Sequence, residues 1–122
     1  MNETELKLSA PLKVTTKVDL NWGVKIPNDK PPVTIKAGTA IEVHFAEGID
    51  NRLFIKHGDR ILRISLQQVH NRLTGFVKQP SMKTLEKYSY DGIAKTVTGQ
   101  RTEPDGHGAD GSPSWLLVMG II

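Results

Sequence analysis

The sequence predicts an α+β fold: a small antiparallel β-sheet or barrel in the N-terminal half, followed by two short helices, a β-hairpin and a buried C-terminal strand. Three observations predict it. Short segments of alternating apolar residues, joined by Gly and Asn/Asp turns, occupy the first half. After Arg63 the apolar spacing changes to that of helices, and from Trp115 onward the chain is almost continuously apolar. A chain of 122 residues is long enough for one such domain.

The β-rich half contains three strand signals. One strand is predicted over residues 12–20, with four apolar side chains on one face: Leu12, Val14, Val18 and Leu20. Two further strands flank Gly38, a natural turn position because glycine tolerates positive φ. The segment NRLFIKHGDRILRI predicts a hairpin with His57-Gly58-Asp59 at its tip.

The first predicted helix covers ISLQQVHNRLTGF. Leu66, Val69 and Leu73 recur at the spacing of one helix face. Ser65 is the predicted N-cap, and Gln68 completes a capping box.

The second predicted helix follows Pro80, which disfavours helix in the residue before it. Ser81 is its predicted N-cap, and Asp91-Gly92 ends it. Two short strands around Thr98-Gly99-Gln100 then predict a hairpin.

A Gly-rich loop and an apolar segment end the chain. Glu103-Pro104-Asp105-Gly106 has the residue order of a β-turn. The loop would return Trp115–Met119 to the core as a buried strand. The predicted organisation is therefore a flexible N-terminus (1–11), a β-rich region (12–64), a helix-loop-helix-hairpin (65–104), and the loop with its strand (105–122), packed as one compact unit.

Charge is unevenly distributed along the chain. The stretch from Arg52 to Arg101 contains ten Lys or Arg residues and three Asp or Glu residues, although the whole chain has a net charge of only +3. An excess of this kind indicates either an anionic partner or a solvated basic surface.

The order of elements in 65–104 resembles the winged helix-turn-helix of MerR-type regulators and phage excisionases. The stretches that carry the resemblance are SLQQVHNRLTG, PSMKTLEKYSYDG and the wing-like IAKTVTGQRT. In that family the second helix has a capping Ser, then a Thr, an aliphatic residue, an aromatic residue and a terminal Gly, which here correspond to Ser81, Thr84, Leu85, Tyr88 and Gly92. The tail EPDG…GSPSWLL resembles those of small uncharacterised bacteriophage or prophage proteins, which implies a viral origin.

The resemblance implies a duplex DNA partner and names the residues that would bind it. The second helix would enter the major groove with four side chains: Ser81, Lys83, Thr84 and Lys87. Phosphates would be held by four basic residues: Arg72, Lys78, Lys95 and Arg101. The alternative is a phage protein that binds and inhibits or redirects a host protein through its sheet or its 103–114 loop.

Catalytic and metal sites find little support in the sequence. Without cysteine there is no thiol chemistry, and no phosphate-binding or nucleophile-elbow motif occurs. We therefore predict a non-enzymatic protein without a cofactor. Asp105, His107 and Asp110 could form a metal loop, but their spacing does not fit an EF-hand, so a structural turn is the prediction.

The sequence shows no signal peptide and no apolar run near the ~20 residues of a membrane span, which favours the cytoplasm of a bacterial host.

Overall fold

A computed structural model describes residues 7–23 and 32–122. This part of the chain is α+β, as predicted, with most strands in antiparallel sheets, two short helices and a β-hairpin. Its elements are, in order, β1 (Leu12–Thr15), β2 (Leu20–Trp22), β3 (Val33–Ile35), β4 (Ala40–Ala46), β5 (Ile49–His57), β6 (Arg60–Ser65), a 3-10 helix (Val69–Asn71), α1 (Met82–Asp91), β7 (Ala94–Lys95), β8 (Arg101–Thr102) and α2 (Trp115–Val118). No helix in these ranges is long and apolar enough to cross a membrane.

The largest sheet has four antiparallel strands in the order β1-β4-β5-β6. β5 and β6 form the predicted hairpin, and His57 pairs with Arg60 next to its tip. Gly58 has a φ of 63° there, a conformation that glycine adopts without a steric penalty. Leu53 and Ile55 of β5 face the core, so this hairpin supplies much of its apolar surface.

The predicted strand over residues 12–20 is two strands, which corrects the sequence analysis. β1 pairs with β4, whereas β2 pairs with β3 in a separate two-stranded sheet. The chain bends between them because Thr16 bonds to the turn after β3: its carbonyl accepts the Gly38 amide and its hydroxyl donates to the Lys36 carbonyl. Val18, predicted on the buried face, lies on this bend and is exposed.

The predicted first helix is not an α-helix. Ser65 is the last residue of β6 and pairs with Arg52; its hydroxyl accepts the Gln67 amide at 3.3 Å, but no α-helix follows it. Only the short 3-10 helix Val69–Asn71 forms in this segment, and Gln68 makes no side-chain capping bond there. The predicted helix-loop-helix-hairpin of 65–104 therefore contains one α-helix.

The apolar spacing of that segment nevertheless identified core residues. Leu66, Val69 and Leu73 are all fully buried. Leu73 forms an isolated β-bridge with Thr16, and the Arg72 carbonyl accepts the Lys17 amide. These bonds to the residues directly after β1 hold the segment in place where an α-helix was predicted.

The predicted C-terminal strand is the short helix α2. Its N-cap Ser114 accepts a hydrogen bond from the Leu117 amide at 3.2 Å. A continuous apolar run does not by itself distinguish a buried strand from a buried helix, and here the serine cap favours the helix. The predicted burial is confirmed for Trp115, Leu116 and Val118.

Candidate nucleic-acid interface

Helix α1 begins and ends at the residues that the sequence indicated. The Ser81 side chain accepts the Thr84 amide at 3.2 Å, and Gly92 ends the helix with a φ of 70°. Leu85 is its one fully buried residue. Most of the helix surface is therefore free to contact a partner.

A groove runs between α1 and the β7–β8 hairpin, and we call it the basic groove. Four of the eight residues predicted to bind DNA line it: Thr84, Lys87, Lys95 and Arg101. Tyr88, Asp91, Ile93 and Ala94 complete its lining. The structure thus brings three cations and one carboxylate to one surface.

Two of these cations are direct neighbours. Lys95 pairs with Arg101 across β7 and β8, so their Cβ atoms lie on the order of 5 Å apart. Like charges in directly opposite positions destabilise a strand pair. A bound anion between them would relieve that repulsion, and a phosphate group has the charge and size to do so.

The other predicted residues lie outside this groove. Lys83 is exposed one turn before Lys87 on α1. Arg72 follows the 3-10 helix beside β1, and Lys78 follows Val77, whose amide donates to the Val97 carbonyl. Neither Arg72 nor Lys78 lines the groove.

The Tyr88 phenol forms part of the groove wall. Burial raises the pKa of this phenol above its ordinary value, so it remains neutral at physiological pH. A neutral hydroxyl adds a hydrogen-bond donor to the groove without adding a negative charge.

Replacing Ser81 by alanine tests whether this residue caps the helix. We expect Ser81→Ala to lower the free energy of unfolding by about 1 kcal/mol, because the Thr84 amide loses its acceptor. Thermal unfolding measures this loss. The variant Ser89→Ala, at an exposed position of the same helix, is the control. An unchanged melting temperature for Ser81→Ala would refute the cap.

Two of the three residues of the suggested metal loop have other partners. His107 Nε2 lies 2.8 Å from Asp50 Oδ1, which ties the loop to β5. Asp110 accepts hydrogen bonds from Thr98 and Ser112, whereas Asp105 is exposed. Within residues 7–23 and 32–122, no cluster of three or more His, Asp or Glu side chains could hold a metal ion.

The Gly-rich loop has a defined structure held by hydrogen bonds and close packing. The predicted β-turn is confirmed by the bond from the Gly106 amide to the Glu103 carbonyl at 2.9 Å. Gly108 packs so closely on Gln100 that a Cβ atom there would collide with the Gln100 side-chain oxygen. The loop therefore lies directly against the turn of the β7–β8 hairpin.

A small apolar patch beside the interface was not predicted from the sequence. Met82, Tyr90 and Ile121 surround a shallow pocket, and we call these three residues the apolar patch. Tyr90 is 93% exposed and Met82 is 60% exposed. Met82 and Tyr90 belong to α1, Ile121 follows α2, and the buried Leu85 lines the same pocket. The available signal was the presence of Met82 and Tyr90 within the predicted helix.

Comparison with protein-family models, with curated proteins and with solved structures finds no match to this chain in any of the three.

Proposed function

We propose that this chain is a small, non-enzymatic, phage-type DNA-binding protein with an accessory or regulatory role, which holds duplex DNA at the basic groove. The observation that carries the proposal is the convergence of Lys87, Lys95 and Arg101 on one groove. Asp91 is the one carboxylate in that lining, so the groove retains a positive excess.

Each part of the interface has a distinct task in this proposal. The groove cations contact phosphates, which fixes the position of the protein on DNA without reading its sequence. Lys83 and Thr84 lie in the first turn of α1, the part of a recognition helix that reaches base edges in the major groove. Ser81 contributes indirectly, by capping that turn.

Neutralising the paired cations is expected to weaken binding to every DNA sequence. Each phosphate contact contributes a slope of roughly −0.9 in log K against log salt. The double variant Lys95→Gln/Arg101→Gln should therefore reduce the slope by about 1.8 and weaken binding at low salt. Fluorescence anisotropy with a labelled duplex across a salt series measures both quantities.

The control for this experiment removes two cations elsewhere. Lys7 and Lys36 are exposed and form only long surface ion pairs, of 3.9 and 3.8 Å, with Glu47 and Asp19. The variant Lys7→Gln/Lys36→Gln should retain the wild-type slope. Absence of wild-type binding at low salt would refute the proposal, and equal slopes for the two double variants would refute the groove as its site.

A host-protein partner is the second candidate, and the apolar patch favours it. Exposed apolar clusters beside polar residues are typical of protein-binding surfaces. If this candidate is right, the wild type captures a bacterial protein that the variant Met82→Ser/Tyr90→Ser does not capture. The wild type then does not bind DNA. If the DNA proposal is right, Met82→Ser/Tyr90→Ser retains the wild-type salt slope.

A further inference from the structure

A second basic surface lies on the outer face of the β5–β6 hairpin. Arg52, Phe54 and Lys56 alternate with Leu53 and Ile55 of β5 and therefore share the face opposite those two core residues. Arg52 and Lys56 are exposed on this face, whereas Phe54 is fully buried. Arg63 lies directly opposite Phe54 in β6. We call Arg52, Lys56 and Arg63 the sheet-face cations.

Arg63 is held in place on this face. Its guanidinium carbon lies 5.7 Å from the centre of the Phe54 ring, within the range of a cation–π contact. Its backbone carbonyl accepts a hydrogen bond from the Trp22 indole at 3.0 Å. A cation that is already oriented loses little side-chain entropy when it binds an anion.

Within the described ranges, salt bridges do not neutralise the charge of the sheet-face cations. In the described part of the chain, none of the three forms a salt bridge with a carboxylate. Glu42 shares a shallow pocket with Lys56, and Asp50 is paired with His107. Arg52 and Lys56 are four positions apart in β5, a separation of about 13 Å, so the cations span several nucleotide steps rather than one small anion.

The two basic surfaces lie on different sides of the molecule. α2 contacts both β5 and α1. Leu53 of β5, Leu116 of α2 and Leu85 of α1 belong to the same core cluster. The sheet-face cations therefore point away from the core on the side remote from α1.

We infer that the sheet-face cations form a second nucleic-acid-binding surface, with which one molecule bridges two DNA duplexes. The inference rests on the proposed function, because the first duplex occupies the basic groove. The second duplex contacts Arg52, Lys56 and Arg63 through its phosphates. Such contacts are independent of sequence, so any DNA segment serves as the second duplex.

A two-duplex capture experiment tests this inference. One duplex is fixed to beads, and a second, fluorescent duplex is added with the protein at low salt. The wild type should retain the fluorescent duplex on the beads at moderate protein concentrations. A large excess of protein should release it, because each duplex then binds its own protein molecules.

Two variants identify the responsible surface. Arg52→Gln/Lys56→Gln/Arg63→Gln should lose at least nine-tenths of the captured fluorescence while it still binds a single duplex by anisotropy. Arg52→Gln/Lys56→Gln leaves the Arg63–Phe54 contact intact and should lose most of the capture, which covers the case in which the triple variant does not fold. The variant Lys7→Gln/Lys36→Gln is the matched control and should capture like the wild type.

The outcomes separate the inference from the proposed function. A wild type that binds one duplex but captures no second duplex overturns the bridging inference alone. The bridging inference is also overturned if the variants of the sheet-face cations capture as much fluorescent duplex as the wild type, because bridging would then arise from self-association. A wild type that binds no duplex at all overturns the proposed function as well.

Discussion

Replacing Trp115 by alanine is expected to lower the free energy of unfolding by about 3–5 kcal/mol. Trp115 is fully buried in the core cluster, and α2, which carries it, packs against α1, β5 and β7. A domain of this size has a free energy of unfolding of about 5–15 kcal/mol, so the substitution removes a large share of it. Urea unfolding followed by circular dichroism measures the loss.

Two further variants test the cause of this loss. The Trp115 indole N–H has no hydrogen-bond partner among the described residues, so Trp115→Phe removes an unpaired buried donor and retains an aromatic ring. We expect a much smaller loss for Trp115→Phe than for Trp115→Ala. Ile122→Ala, at an exposed position of the same segment, should change little.

Deletion of residues 115–122 extends the same test. The truncated chain should be insoluble or unfolded, because the deletion removes three buried apolar side chains and exposes those that they cover. A soluble and folded truncated protein would show that the segment is dispensable for the core and acts instead as a partner-binding tail.

Replacing Asp110 by alanine is the second substitution with a large expected effect. Its carboxylate accepts hydrogen bonds from the Ser112 amide at 2.9 Å, from the Ser112 hydroxyl, and from the Thr98 hydroxyl at 2.8 Å. Ser112 is itself fully buried, so its groups would lose their acceptor away from water. We expect a loss of about 2–3 kcal/mol, measured by urea unfolding. Asp105→Ala, in the same loop, is the matched control because Asp105 is exposed.

The Asp110 network also makes stability depend on pH. Burial raises the pKa of Asp110, but the hydrogen bonds from Ser112 and Thr98 together outweigh burial, so the pKa lies below its usual value. The resulting stabilisation is present above the pKa of an unfolded aspartate, about 3.9, and is lost as the pH falls through the lower folded value. The difference in stability between wild type and Asp110→Ala should therefore shrink in acid. A difference that is constant from pH 7 to pH 2 would contradict this origin.

Local signals predicted the parts of the fold that depend on neighbouring residues. The β5–β6 hairpin and the two ends of α1 follow from residues within a few positions of each turn or cap. The helix predicted after β6 was wrong because the end of that segment bonds to the last residue of β1 and the two residues after it, more than fifty residues earlier. The strand predicted over residues 115–118 was wrong because a continuous apolar run has no periodicity that distinguishes a strand from a helix.

Local structure likewise predicts some parts of the candidate site and not others. Thr84 and Lys87 share a helix, and Lys95 and Arg101 share a hairpin, so each pair was predictable from local structure. Their meeting in one groove depends on how the hairpin packs against the helix. The His107–Asp50 pair joins residues 57 positions apart, and no sequence pattern predicts such a contact.

The small size of α2 has a consequence for the order of folding. A four-residue helix cannot persist in water alone, because helix nucleation costs more than so few hydrogen bonds return. We therefore expect α2 to form only as it docks on β5, about sixty residues earlier in the chain, after the contiguous β4–β5–β6 meander has assembled. Substitutions in the β5–β6 hairpin should then slow refolding, whereas substitutions in α2 should mainly accelerate unfolding.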